Sequence, residues 1–163
     1  MKALDYEQIR IETLHSYQIL DTPRDARFDA VIQGIHETLD VPICGIAFYD
    51  ESRIWYKSSI GMHVNELPRG STLATEMLTH SLNELMIPDT MTDPRSMNNY
   101  IQRGKIGVRA FVGVGLFAPN GQMLGSINCL DFEVREFTPD EINKLHAYAH
   151  QVMELLENRK AAN

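Results

Sequence analysis

Apolar residues recur along this chain in two periods, and those periods predict the elements. Phe28, Ile32, Ile35 and Leu39 follow one another at intervals of four, three and four, which puts them on one face of a helix. Thr22 is placed to cap that helix, Pro23 suits its first position, Asp25 follows three residues after the cap, and Pro42 stops it. An earlier helix is predicted over 3–17, with a thin stripe of Leu4, Ile11 and Leu14. Ile43 to Tyr49 and Ile54 to Ile60 read as two strands joined at Asp50-Glu51-Ser52-Arg53. From Gly61 to Gly107 the pattern is less regular. It predicts a short helix over Thr72–Leu82, a short strand near Leu85–Ile87 and a helix near Ser96–Gln102. Arg109–Phe117 and Met123–Leu130 form the clearest hairpin, joined through Asn120-Gly121, a pair suited to a tight type I′ turn.

That turn assigns the two faces of the hairpin. Opposing Pro119 to Gln122 sets Gly113 opposite Asn128 and Gly115 opposite Ser126 on one face, with Arg109 in the same parity. Val112, Val114, Leu116, Ile127 and Cys129 then share the other face, which is apolar and should carry helices. The small polar face leaves space for something else, and a β-bulge would invert the whole assignment. The last helix opens with a capping box, Thr138 and Glu141 around Pro139. Its apolar residues Ile142, Leu145, Ala149, Val152 and Leu156 form a narrow heptad seam that needs another helix. The N-terminal segment or the same helix of a second subunit would supply it.

Charge removes several classes. With 15 Lys and Arg against 22 Asp and Glu, the 163-residue chain carries a formal net charge of −7, and its cations are scattered singly. A nucleic-acid partner and an anionic membrane surface are therefore not expected. Length and a 44% apolar content fit one globular domain over 1–163, with a core of about 20–137 and flanking helices of about 3–17 and 139–159. No apolar run reaches membrane-spanning length and the first residues are acidic and polar, so a cytoplasmic location is expected. Cys44 and Cys129 have no paired spacing and fall in apolar strand segments, where a thiol packs as a small hydrophobe.

Few side chains suggest chemistry. His146, His150 and Glu154 share a helix surface, but without the zincin order, and they read as a solvated face rather than a metal site. His36 and His80 read as ordinary helix residues rather than haem ligands. Met77, Met86, Met91 and Met97 either fill gaps in the core or line an adaptable pocket. Arg69, Arg95 and Arg109 either meet an anionic ligand or pair with Asp89 and Asp93. No nucleophile elbow, phosphate loop or dinucleotide fingerprint is present, so catalysis is not expected.

One set of short motifs is specific in order and spacing. It runs Ile19-Leu20-Asp21-Thr22-Pro23, Phe28-Asp29, Val41-Pro42-Ile43, Trp55-Tyr56-Lys57-Ser58, Ile60-Gly61 and Pro68-Arg69. It continues with Asp89, Asp93-Pro94-Arg95, Val108-Arg109, Gly121, Leu124-Gly125-Ser126, Asp131, Arg135 and Phe137-Thr138. Over about residues 6–157 the chain resembles the GAF domains of bacterial sensor kinases and diguanylate cyclases. The resemblance implies an α+β fold: an antiparallel sheet of five or six strands, N- and C-terminal helices on one face and a ligand pocket on the other. It implies a regulatory module that binds a small molecule, dimerises through terminal helices and biases an output kinase or cyclase outside this chain.

The departures narrow that picture. Ser71-Thr72-Leu73 stands where the family often has Ser-Phe-Cys, and Asn128 where a Cys often precedes the Asp. The Asn-Lys-Phe-Asp-Glu signature of cyclic-nucleotide binders is missing, and neither cysteine is followed by His, so a covalent bilin is not expected. The cofactor is left open and no metal is expected. Expected pocket residues are Arg109, Gly113, Ser126 and Asn128 as floor and Arg69, Met77, Met91 and Tyr100 as walls. Two rivals stand beside this reading: a ligand-free interaction module whose pocket its own side chains fill, and an enzyme similar to free methionine sulfoxide reductases.

Overall fold

The computed structural model of the chain describes residues 3–96 and 107–162. Its elements, in chain order, are α1 (Ala3–His15), α2 (Ala26–Leu39), β1 (Ile43–Tyr49), β2 (Arg53–Ile60), β3 (Glu66–Pro68), α3 (Ala74–His80), β4 (Glu84–Ile87), β5 (Ala110–Phe117), β6 (Met123–Asp131) and α4 (Pro139–Ala162). The strands make one antiparallel sheet in the order β3-β2-β1-β6-β5-β4. β1, β2 and β3 pair in succession, as do β4, β5 and β6, and β1 closes onto β6 at the centre, which leaves β3 and β4 at opposite edges. The helix expected near Ser96–Gln102 lies outside the described residues apart from Ser96.

Two helix starts show how local chemistry sets boundaries. α4 begins where the capping box predicts: the Thr138 amide donates to Glu141 Oε1 at 2.9 Å and the Glu141 amide donates to Thr138 Oγ1 at 3.1 Å. α2 begins three residues later than Thr22 and Pro23 suggest, because Asp25 is the cap, accepting from the Arg27 amide at 2.9 Å. The Thr22 hydroxyl instead donates back to the Ile19 carbonyl at 2.6 Å, and Lys57 Nζ donates to Thr22 Oγ1 and the Pro23 carbonyl. α2 ends at Asp40, in the left-handed region at φ 51°. Arg135 caps that end, donating from Nη2 to the Leu39 carbonyl at 2.5 Å and from Nη1 to the Asp40 carbonyl at 3.1 Å.

The β5–β6 hairpin has the expected body and a different turn. Ala118 donates to the Gln122 carbonyl and Gly121 to the Ala118 carbonyl, so Pro119-Asn120-Gly121 is a three-residue loop with Gly121 at φ 85°. Such a loop shifts the register by one. A bulge then shifts it back, since Phe117 pairs Met123 while Leu116 pairs Gly125, leaving Leu124 extra. Gly113 therefore does oppose Asn128, and Gly115 opposes Ser126.

The sheet buries both faces. Val112, Val114, Leu116, Ile127, Cys129, Cys44, Ile46 and Phe48 pack beneath α2 and α4, together with Leu14 of α1 and Tyr17 and Ile19 of the following turn. The α4 seam is filled inside the chain: Leu145, Val152 and Leu156 are fully buried against α2 and the sheet. Of the two sources expected from sequence, the N-terminal segment does pack there, with Leu14 and Tyr17 in the same cluster and the Tyr17 hydroxyl donating to Glu157, while α2 supplies the main partner helix. The opposite face carries α3, with Ala47, Tyr49, Tyr56, Phe111 and Leu130 in the same cluster as Leu73, Ala74 and Met77.

Gly125 marks the tightest approach in the sheet. A Cβ there would overlap the Ala47 carbonyl oxygen on the neighbouring strand, whereas one on Gly121 would meet nothing within 4 Å. Gly125→Ala is expected to abolish soluble folded protein, while Gly121→Ala, which strains only a positive-φ turn residue, should cost about 1–2 kcal/mol in denaturant unfolding.

Candidate functional site

The face opposite α2 and α4 holds a cluster of buried polar side chains, Tyr49, Ser126 and Asn128. The Tyr49 hydroxyl is hydrogen-bonded to Ser126 Oγ and lies 3.2 Å from the Ala74 carbonyl, the alternative acceptor for its single proton. Ser126 Oγ donates to Asn128 Oδ1 at 2.8 Å. Ser126 and Asn128 lie on alternate residues of β6 and Tyr49 ends β1, so strand periodicity alone brings them to one face. The phenol thus ties the first turn of α3 to the sheet. Burial pushes its pKa upward, so it stays a neutral donor.

Gly113 completes this floor. A Cβ there would lie 2.6 Å from Met77 Sδ and 3.0 Å from Asn128 Oδ1. The missing side chain is what lets the α3 methionine reach the sheet. Met77 is wholly buried and, with Phe111, occupies the space above the polar floor. Among the described residues, two buried polar side-chain atoms have no hydrogen-bond partner, Thr72 Oγ1 before α3 and Arg109 Nε before β5.

The expected site residues therefore separate into groups. Met77, Gly113, Ser126 and Asn128 come together. Arg109 leans outward and pairs with Asp89 at 3.2 Å, as Arg95 does with Asp93 at 2.6 Å, which is the ion-pair alternative for those cations. Met91 is exposed on the surface. Tyr100 and Met97 lie outside the described residues. Arg69 stands at another corner, where Nη1 donates to Glu7 Oε1 at 2.6 Å and to the Asp50 and Glu51 carbonyls at 3.1 Å. Glu7 also receives Arg10 Nε at 2.9 Å and Nη2 at 3.0 Å, and Arg10 Nη1 reaches the Tyr49 and Met123 carbonyls. One carboxylate thus locks α1 to the strand ends through two arginines. Glu7 was missed from sequence because its partner Arg69 is 62 residues away.

The remaining candidates have structural partners. Cys44 and Cys129 face each other across β1 and β6, a juxtaposition invisible in their spacing, but on the face covered by α2 and α4. Burial pushes the Cys44 thiol up to about 12 and the Cys129 thiol well above its ordinary value, the reverse of what a reactive thiolate needs. His146 Nε2 lies 3.1 Å from Glu84, His80 Nε2 3.4 Å from Glu76, and His36 Nδ1 2.8 Å from the Val41 carbonyl.

Over residues 23–156 the sequence matches the family profile described as GAF domain. This chain belongs to the GAF domain family. It is 26% identical over 147 residues to a cyclic di-GMP phosphodiesterase of Pseudomonas aeruginosa, covering 89% of this chain and 25% of that protein. The match thus spans about a quarter of the relative. Among solved structures, the GAF domain of an Acinetobacter phosphoenolpyruvate-protein phosphotransferase superposes with a TM-score of 0.70 at 14% identity, covering 100% of this chain and 98% of that one. The free methionine-R-sulfoxide reductase of Neisseria meningitidis, solved with its substrate, superposes with a TM-score of 0.71 at 15% identity, covering 96% and 93%. These likenesses establish the GAF fold, and the family is one of signalling and sensor domains.

Two outcomes test this geometry. Tyr49→Phe removes the bridge to α3 while Ser126 keeps Asn128, and should lower unfolding free energy by about 1–2 kcal/mol in urea titration. Hydrogen bonding from Arg10, and then Arg69, lowers the Glu7 pKa from 4.5 to about 2. A depressed folded-state pKa gives stability that is present above about pH 4.5 and lost as pH falls toward 2. Wild-type protein should therefore lose more stability across that window than Glu7→Gln, measured by acid-dependent thermal melting.

Proposed function

We propose that this GAF domain is a non-catalytic regulatory module that binds a small cytoplasmic molecule over the floor of Gly113, Ser126 and Asn128. The observation that carries this reading is the pairing of a polar floor with a removable cover. Met77 is an unbranched side chain with three rotatable bonds, held over a glycine rather than keyed into a ridge. Among the described residues, Thr72 Oγ1 before α3 has no hydrogen-bond partner and offers unused capacity. A ligand displacing Met77 would act on α3 through the Tyr49–Ala74 contact and shift the population between covered and open states. Dimerisation through the terminal helices and coupling to an output kinase or cyclase in a longer polypeptide complete the proposal.

A catalytic role of the sulfoxide-reductase kind is disfavoured, because both cysteines sit on the face away from this floor. A ligand-free interaction module is the second reading, favoured by the burial of Tyr49, Met77 and Phe111 in that layer. Native mass spectrometry of freshly purified protein separates the three. The proposal expects a dimer of the 18.6 kDa chain carrying a non-covalent adduct, reduced in Gly113→Leu, which fills the floor. A clean dimer whose melting midpoint is unmoved by a metabolite panel would select the interaction module. Turnover of free methionine sulfoxide with a thiol reductant, lost in Cys44→Ser, would select the enzyme.

A further inference from the structure

A second concave site lies away from the sheet floor, between α1, the C-terminal half of α3 and the β5–β6 turn. Its volume is about 450 Å³, and Tyr6, Arg10, Arg69, Thr75, Ser81 and Gln122 are among its lining residues. In a chain with a net charge of −7, this groove brings two arginines together with one carboxylate, Glu7. The two guanidinium groups are engaged differently. Arg10 is buried and uses Nε and both terminal nitrogens on Glu7, Tyr49 and Met123. Arg69 places all its described hydrogen bonds on Nη1. Its Nε–H and Nη2–H edge has no hydrogen-bond partner among the described residues.

That edge is the planar fork that recognises a carboxylate or phosphate bidentately. The side chain is a quarter exposed, so water and small solutes reach it. Its position is already fixed by Glu7 and by the Asp50 and Glu51 carbonyls, so binding would immobilise little further. Neutral donors line the same groove. The Thr75 hydroxyl oxygen accepts from the Gly70 amide at 3.2 Å, leaving its own proton available, and the Gln122 side chain makes no hydrogen bond within the described residues. Tyr6, more than half exposed, adds an aromatic wall at the rim.

We propose that this groove is a binding site for the oxyanionic group of a small molecule, a phosphate or a carboxylate, held bidentately by the free edge of Arg69. The site is separate from the sheet floor, so either proposal stands without the other. The test is isothermal titration calorimetry on the full chain with inorganic phosphate and, separately, with succinate, at constant ionic strength. The two arms identify which oxyanion the groove prefers. Saturable binding of one of them is expected. It should fall at least tenfold in Arg69→Lys, which keeps the charge and loses the fork. It should fall equally in Gln122→Glu, which adds a competing carboxylate and leaves the Arg69–Glu7 lock intact. Met77→Ala, at the sheet floor, should leave it unchanged. Absence of saturable binding of both anions, or binding that Gln122→Glu leaves intact in a protein of unchanged melting midpoint, would overturn the proposal.

Discussion

The antiparallel pairing of β6 with β5 on one side and β1 on the other is the constraint on which the rest of the molecule depends. Strand side chains alternate, so one choice of register decides which set of residues meets α2 and α4 and which meets α3. With Gly113 opposite Asn128 and Gly115 opposite Ser126, Val112, Val114, Leu116, Ile127 and Cys129 form one layer, and the glycines, Ser126 and Asn128 share the other with Phe111 and Leu130. Gly125 fixes that register from the β1 side, because no larger residue fits against Ala47. A slip of one residue would bury Ser126 and Asn128 under the helices without their partners, and unpaired buried polar groups are costly enough to make that arrangement unfavourable.

Much of this order was legible in the sequence. The 3.6-residue period of α2 and α4, the capping box and the alternation in β5 and β6 are local signals, and each sits within a few residues of the structure they produce. The hairpin is more instructive. Its faces were assigned by assuming a two-residue turn and no bulge; the chain has a three-residue turn and a bulge at Leu124, and the two shifts cancel. The start of α2 was misplaced because Thr22 and Asp25 are both competent caps, and what separates them is Lys57, a residue on another strand that holds the Thr22–Pro23 turn. β3 was missed because a three-residue edge strand ending in proline shows no alternation to read.

The site divides along the same line. Ser126, Asn128 and Gly113 were legible because strand periodicity carries a residue to a face. The placement of Arg69 was not, because its partners come from α1 and from the β1–β2 turn, and nothing local announces a contact across such separations. The cysteines make the converse point: their spacing in sequence shows no pairing, yet the β1–β6 ladder sets them opposite one another in a dry layer.

Arg135 follows β6 and bonds to Asp131 at its end, to the last carbonyls of α2 and to Glu141 in the first turn of α4. A single planar group thus rivets three elements at one corner, with the Phe137 ring stacked beneath it. Such a joint does not bend independently in each arm. A displacement of the strand that carries Ser126 and Asn128 would meet at this corner the first turn of α4, whose 24 residues make it the longest helix among the described elements.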